Sequence, residues 1–275
     1  MRCRQLWGTL LALTIGGATT PAAAVPLISI VIDDLGDSWA EGQAAIALPG
    51  AVACAFLPES PHTRRLAELA HAARKEILVH LPLEPVAGRA HPLALSAQLA
   101  TPQRSDWLGE MLAAVPYATG VNNHQGSLAT SNRGAMHWLM RELSLRSTAF
   151  FIDSMTSTDS VAYPLARAYG IPATRRRVFL DHQRGEAETH AQFQRLVRIA
   201  KETGGALAIG HPYPETLKAL AQLLPQLDGL GVALVEPSVL IRRVERQPPP
   251  LPMPLRMATT LSPAPEPALS AGAMP

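Results

Sequence analysis

The chain has 275 residues, a formal net charge of +2 and 17% charged residues. That length suits one sizeable globular domain or two small ones, and a charge balance so close to zero argues against a nucleic-acid partner, which needs a basic footprint. Only two cysteines occur, Cys3 and Cys54, so no disulfide framework staples the fold and its stability rests on an apolar core.

The first 24 residues have the layout of a signal peptide. Arg2 and Arg4 form a basic start, Leu6 to Ile15 an apolar stretch and Ala22-Ala23-Ala24 a small-residue cleavage site. Cleavage after Ala24 predicts a periplasmic or secreted protein with no membrane span in its mature form. Cys3 lies ahead of the apolar stretch, the wrong place for a lipidated cysteine, and Cys54 lies in an apolar run as a lone buried thiol. At the other end, residues 244–275 carry PPPLPMP and SPAPEPA without apolar periodicity, a Pro/Ala-rich tail predicted to be disordered. Residues 25–243 between them are expected to form one domain.

Within that domain apolar runs alternate with helical patterns. Ile28 to Gly36, ISIVIDDLG, is a β-branched run buried on both faces that ends in Asp33, Asp34 and a glycine. Ser38 and Glu41 form a capping box for a short helix to Leu48, Ala51 to Leu57 is a second strand, and Ser60-Pro61 opens a helix over Thr63 to Arg74. Glu76 to Leu81 is a third strand bearing His80, and Pro82 to Thr101 reads as a long loop. Helices are expected over Ser105 to Val115, Asn132 to Leu143, Asp159 to Tyr169, Glu186 to Glu202 and Pro214 to Leu224. Strands are expected over Ala118 to Asn122, Ala149 to Ile152, Arg177 to Leu180, Ala206 to Ile209 and Gly231 to Leu234. About eight β/α units without a sequence repeat predict an α/β barrel, and no G-x-G-x-x-G follows any strand to support a dinucleotide fold.

The strand exits carry the chemistry. Asp33 and Asp34, His80, His124, Asp153 and His211 each sit where a predicted strand leaves the core, with Asp181 and His182 at a further exit. In parallel α/β folds the loops after the strands converge on one edge, so acids and imidazoles repeated there define a candidate site. Asp and His suit zinc or a similar divalent ion with positions open to water and substrate, a spare carboxylate can serve as general base, and His211 is the candidate general acid. Neighbours on an extended strand face opposite sides, so Asp33 and Asp34 are expected to do different jobs. His62, His71, His91, His137 and His190 fall on helices or loops and are read as structural. Aromatic residues make up 5% of the chain, which argues against a long sugar-stacking cleft.

The segments VIDDLG, FLPESPH, EILVHLPLEP, GVNNHQGS, FFIDSMT, RRVFLDH and AIGHPYPETL, in order through residues 27–240, resemble the divergent polysaccharide deacetylase family, a distant branch of the deacetylases with the NodB-homology fold. The resemblance implies an irregular (β/α) barrel and an enzyme that removes acetyl groups from a polysaccharide or oligosaccharide with a divalent metal, zinc by preference, and the signal segment adds that it is exported. It implies that Asp33 is the base and that Asp34 and His80 are metal ligands. The second histidine of the usual H-x-x-x-H pair is Glu84 here, so either Glu84 or His124 completes the metal shell, and His124 keeps imidazole in that place. His211 matches the histidine that protonates the leaving group, and Asp153 would orient a neighbour. The altered pair also motivates the alternative of a deacetylase-fold protein that has lost catalysis and binds glycan or an envelope protein. Nothing in the sequence sets the oligomeric state.

Overall fold

A computed structural model describes residues 24–95 and 101–245. The predicted signal peptide, apart from Ala24, and the predicted tail beyond Glu245 lie outside the described residues. None of the described helices is long and apolar enough to cross a membrane.

In chain order the elements are β1 (Leu27–Leu35), α1 (Trp39–Ile46), β2 (Ala53–Phe56), α2 (Thr63–Ala72), β3 (Ile77–Leu83), α3 (Thr101–Ala114) and β4 (Gly120–Gln125). They continue as α4 (Ser127–Ser131), α5 (Arg133–Leu145), β5 (Phe150–Asp153), α6 (Ala162–Ala168), β6 (Ala173–Arg175) and β7 (Val178–Phe179). The last are α7 (Glu186–Thr203), β8 (Gly205–Gly210), α8 (Pro214–Leu223), a 3₁₀ turn (Leu224–Gln226), α9 (Leu227–Leu230), β9 (Ala233–Leu234) and α10 (Pro237–Val244). The strands form one parallel sheet in the order β6-β5-β4-β3-β2-β1-β8-β7, with β9 paired to β1. The sheet curls into the predicted barrel. Its two edges are joined by the backbone itself: Arg176 N donates to Asp153 O on β5, and the next residue, Arg177, donates its N–H to Leu207 O on β8.

Alternation along the strands divides the core in two. Ile28, Ile30 and Ile32 of β1, with Cys54, Phe56, Val79, Val121 and Phe151, pack outward against the helices. Leu27, Val31, Ala53, Ala55, Leu78, Phe150, Ile152, Leu207 and Ile209 cluster inside the barrel. Leu240 and Ile241 of α10 belong to that inner cluster and stopper the end of the barrel where the strands begin. Glu76 holds this helix by accepting a hydrogen bond from Ser238 N at 2.9 Å. The predictions missed α10, α9, α4 and β6, because helix α10 is only eight residues long and lies between the last strand and a Pro-rich stretch, while α9, α4 and β6 are shorter still.

The barrel interior is tightly filled. A Cβ on Gly120 would lie 2.2 Å from Cε2 of Phe150. Gly120→Ala is therefore expected to lower stability by about 1–3 kcal/mol through overpacking; chemical denaturation is the check, and an unchanged midpoint would mean that Phe150 has room to move. Cys54 is the buried lone thiol expected, and burial pushes its pKa up to about 12.

Candidate active site

Inner-facing positions carry the site because they extend the barrel interior to its open end. Following Leu27 and Val31, the same face of β1 reaches Asp33; following Leu78, β3 reaches His80; β4 carries Asn122 and His124; beyond Leu207 and Ile209, the chain reaches His211. Asp34 would face outward by alternation. The β1–β2 register shifts between Ile32 and Leu35, and Asp34 takes a left-handed φ of 56°, so this bulge turns its carboxylate into the site beside that of Asp33.

Asp34, His80 and His124 form a compact donor set. Asp34 Oδ1 lies 3.0 Å from His80 Nε2 and 2.8 Å from His124 Nδ1, and the two ring nitrogens are 3.3 Å apart. Glu84 does not enter this group. Strand β3 continues through Leu83, and at about 3.3 Å per residue position 84 is carried some 13 Å beyond His80. His124, paired with Pro82 in the β3–β4 ladder, stands where the second histidine is needed.

Asp33 is buried alongside. Its Oδ1 accepts from Asn122 Nδ2 at 2.8 Å, and its Oδ2 is 3.6 Å from His80 Nε2. Burial raises its pKa, against the pull of the His80 and His211 charges. For Asp34, burial also favours the neutral form, but hydrogen bonds from His124 and His80 overcome it and hold the carboxyl well below the usual range. Burial works against the charged form of His80 too, yet Asp33 and Asp34 raise its pKa to about 9.

His211 faces this group from β8, with Nε2 3.7 Å from Asp34 Oδ2. Asp181 orients it: one carboxylate oxygen is 3.0 Å from His211 Nδ1, and the other accepts from His211 N at 2.7 Å and Thr216 Oγ1 at 2.8 Å. Burial opposes the His211 cation, and the bond to Asp181 together with the Asp34 charge outweighs it and raises the pKa. Asp153 is placed differently from these residues. It follows Ile152 on the outward-facing register of β5, and its carboxylate accepts from Met155 N, Ser160 Oγ and Tyr163 N, fastening the loop to the start of α6. The residue that orients a neighbouring histidine is Asp181.

The site opens into a cavity of about 390 Å³ whose walls include Gln125, Met155, Thr156, Phe179 and His182. Arg176 also lines it, but its guanidinium is held by Ser154 O at 2.6 Å and Met155 O at 2.7 Å and lies over the Phe179 ring. His91, read as structural from its loop position, has its ring 5.7 Å from that of His124. Sequence reasoning missed Asn122 and Arg176. The strand parity that places His124 also selects Asn122 two residues earlier.

The donor set fits a divalent ion. Among the described residues Asp34, His80 and His124 offer ligand atoms that all lie within 4.8 Å of one another. His80 Nδ1 is 2.9 Å from Asn122 Oδ1, so its proton is bound there and Nε2 is left toward the other donors, the arrangement typical of metal-ligating histidine. The pKa pattern gives a prediction for the metal-free protein. His80 titrates near 9 in the fold and near its ordinary 6.5 when unfolded, so its stabilisation is complete below pH 6.5 and is lost as pH rises through 9; the pKa of His211 is raised as well, which adds stabilisation that is likewise lost on raising the pH. The melting temperature after chelation is expected to fall between pH 6.5 and 9; a flat or rising profile would contradict this electrostatic picture.

The chain is thus a parallel α/β barrel with an Asp–His–His group that could hold a metal ion, flanked by a further Asp and His, at its open end. The chain belongs to the divergent polysaccharide deacetylase family, whose profile matches residues 30–241. Protein YibQ of Escherichia coli K12, itself uncharacterized, is 36% identical over 217 residues, 78% of this chain and 67% of the relative. An uncharacterized Haemophilus influenzae protein is 34% identical over 211 residues, covering 74% of this chain and 75% of its own length. The crystal structure of the uncharacterized protein ATU2773 from Agrobacterium tumefaciens C58 superposes with a TM-score of 0.76 at 27% identity, covering 81% of this chain and 92% of that one.

Proposed function

We propose that this protein is an exported, metal-dependent hydrolase that removes acetyl groups from a carbohydrate in the periplasm or beyond it. The observation that carries the reading is the convergence of Asp34, His80 and His124 beside two further titratable groups, Asp33 and His211, on one open cavity. Membership of a deacetylase family supports the reaction class, and the N-terminal segment supports export.

Asp34, His80 and His124 would hold a divalent ion such as zinc, which when bound would supply Lewis-acid polarisation of a carbonyl and lower the pKa of water. Asp33, with its pKa raised by burial, takes a proton from the attacking water. His211 donates the Nε2 proton to the departing amine or alkoxide, while Asp181 holds Nδ1 and keeps the ring's orientation. Asp181 also stabilises the imidazolium before transfer. Arg176 Nε and one terminal nitrogen are bonded to the carbonyls of Ser154 and Met155, which fixes the guanidinium on the cavity wall.

The test is metal analysis of protein purified without chelator, followed by an acetate-release screen over N- and O-acetylated oligosaccharides. About one divalent ion per chain together with acetate release would support the reading. Bound metal with turnover only of other esters or phosphates would move the activity to another bond. No metal after zinc reconstitution, with glycan binding retained, would favour the non-catalytic binding protein.

A further inference from the structure

We propose that Asn122 is a positioning residue that sets two site groups at once, fixing His80 as a metal ligand and Asp33 as a proton acceptor through the two ends of one amide. The Asp33 half of this inference rests on the acetyl hydrolysis proposed above; the His80 half rests only on the metal site of that reading. The ladder pairs His80 with Asn122, so adjacent strands place the two side chains on the same inner face. Asp33 arrives from β1, two strands away from β3 in the sheet, and Asn122 spans the interior to reach it.

The amide's chemistry decides both contacts. Oδ1 only accepts, so at 2.9 Å from His80 Nδ1 it requires the proton on that nitrogen and leaves Nε2 turned toward Asp34 and His124. Nδ2 only donates, so at 2.8 Å it fixes Asp33 Oδ1 as an acceptor, with Ser154 Oγ at 3.4 Å on its other side. Asn122 has no exposed surface, and Asp33 and His80 are each 2% exposed, so bulk water cannot replace these bonds. Shifting the amide would disturb ligand and base together. The single side chain thereby ties the proton-transfer group to the donor set across the barrel, and neither can reorient alone.

Two variants separate the halves. Asn122→Ala removes both contacts, and the expected result is zinc affinity about 10–100-fold weaker by chelator competition, the range for losing a bond that orients a ligand, with loss of the His80 Nδ1–H signal in ¹⁵N-resolved spectra of zinc-loaded protein. Asn122→Asp keeps an acceptor for His80 but places an oxygen against Asp33. It is expected to retain zinc affinity and the Nδ1–H signal while kcat for acetate release falls at least about tenfold with KM unchanged. A folded Asn122→Ala protein with wild-type zinc affinity and an unchanged His80 signal would overturn the inference, as would Asn122→Asp with wild-type kcat. If the unmodified protein released no acetate from any glycan, the proposed function would fail, while the zinc titration and the spectra would still decide the role of Asn122 toward His80.

Discussion

Asn in place of Asp34 is expected to strip the protein of its divalent ion while leaving the fold intact. Asp34 Oδ1 is the atom that faces both imidazoles, at 3.0 Å from His80 Nε2 and 2.8 Å from His124 Nδ1. The amide has the same shape, so the bulge at the end of β1 can persist and circular dichroism should be unchanged. It removes the negative charge that the two imidazoles hold in place and offers an N–H₂ group that repels a cation. Loss of a bond that merely orients a ligand weakens metal binding by about 10–100-fold, and removal of the ligand itself is expected to exceed about 100-fold. Chelator competition measures it. Retention of one ion per chain at wild-type affinity would exclude Asp34 from the shell.

The complementary substitution, Asp33→Asn, is expected to spare metal content and remove turnover. Asp33 is buried beside the donor set, and burial holds its pKa above the ordinary carboxylate value, which makes it a stronger proton acceptor once ionised. Loss of a general base lowers kcat by about 10²–10⁴-fold. His211→Ala, which removes the proposed acid, should fall in the same range with zinc retained, because His211 contacts the donor set only through Asp34 Oδ2 at 3.7 Å. Single-turnover acetate release separates these effects from binding. A zinc-loaded Asp33→Asn protein with full kcat would assign the base elsewhere and leave Asp33 a structural role in holding Asn122.

The sequence by itself determined much of this protein, for reasons that lie in short-range physics. Apolar β-branched runs alternating with amphipathic segments specify buried parallel strands and covering helices, and polar residues at strand exits must gather at one end of such a barrel. Asp33, Asp34, His80, His124 and His211 were all legible on that ground. Only the tertiary structure decided how they divide. Alternation separates Asp33 from Asp34, and the bulge with its left-handed Asp34 reunites them, a backbone choice that no local pattern announces. The extension of β3 through Leu83, which leaves Glu84 outside the shell and brings His124 beside His80, follows from pairing with β4. Asp153 and Asp181 each follow an apolar strand residue. Asp153 ends on the α6 side because β5 pairs with Phe150 and Ile152 inward, whereas Asp181 reaches His211 because β7 lies against β8. These outcomes depend on register and strand order, which are set by contacts between residues tens to more than a hundred positions apart, and so they became visible only when the barrel was assembled.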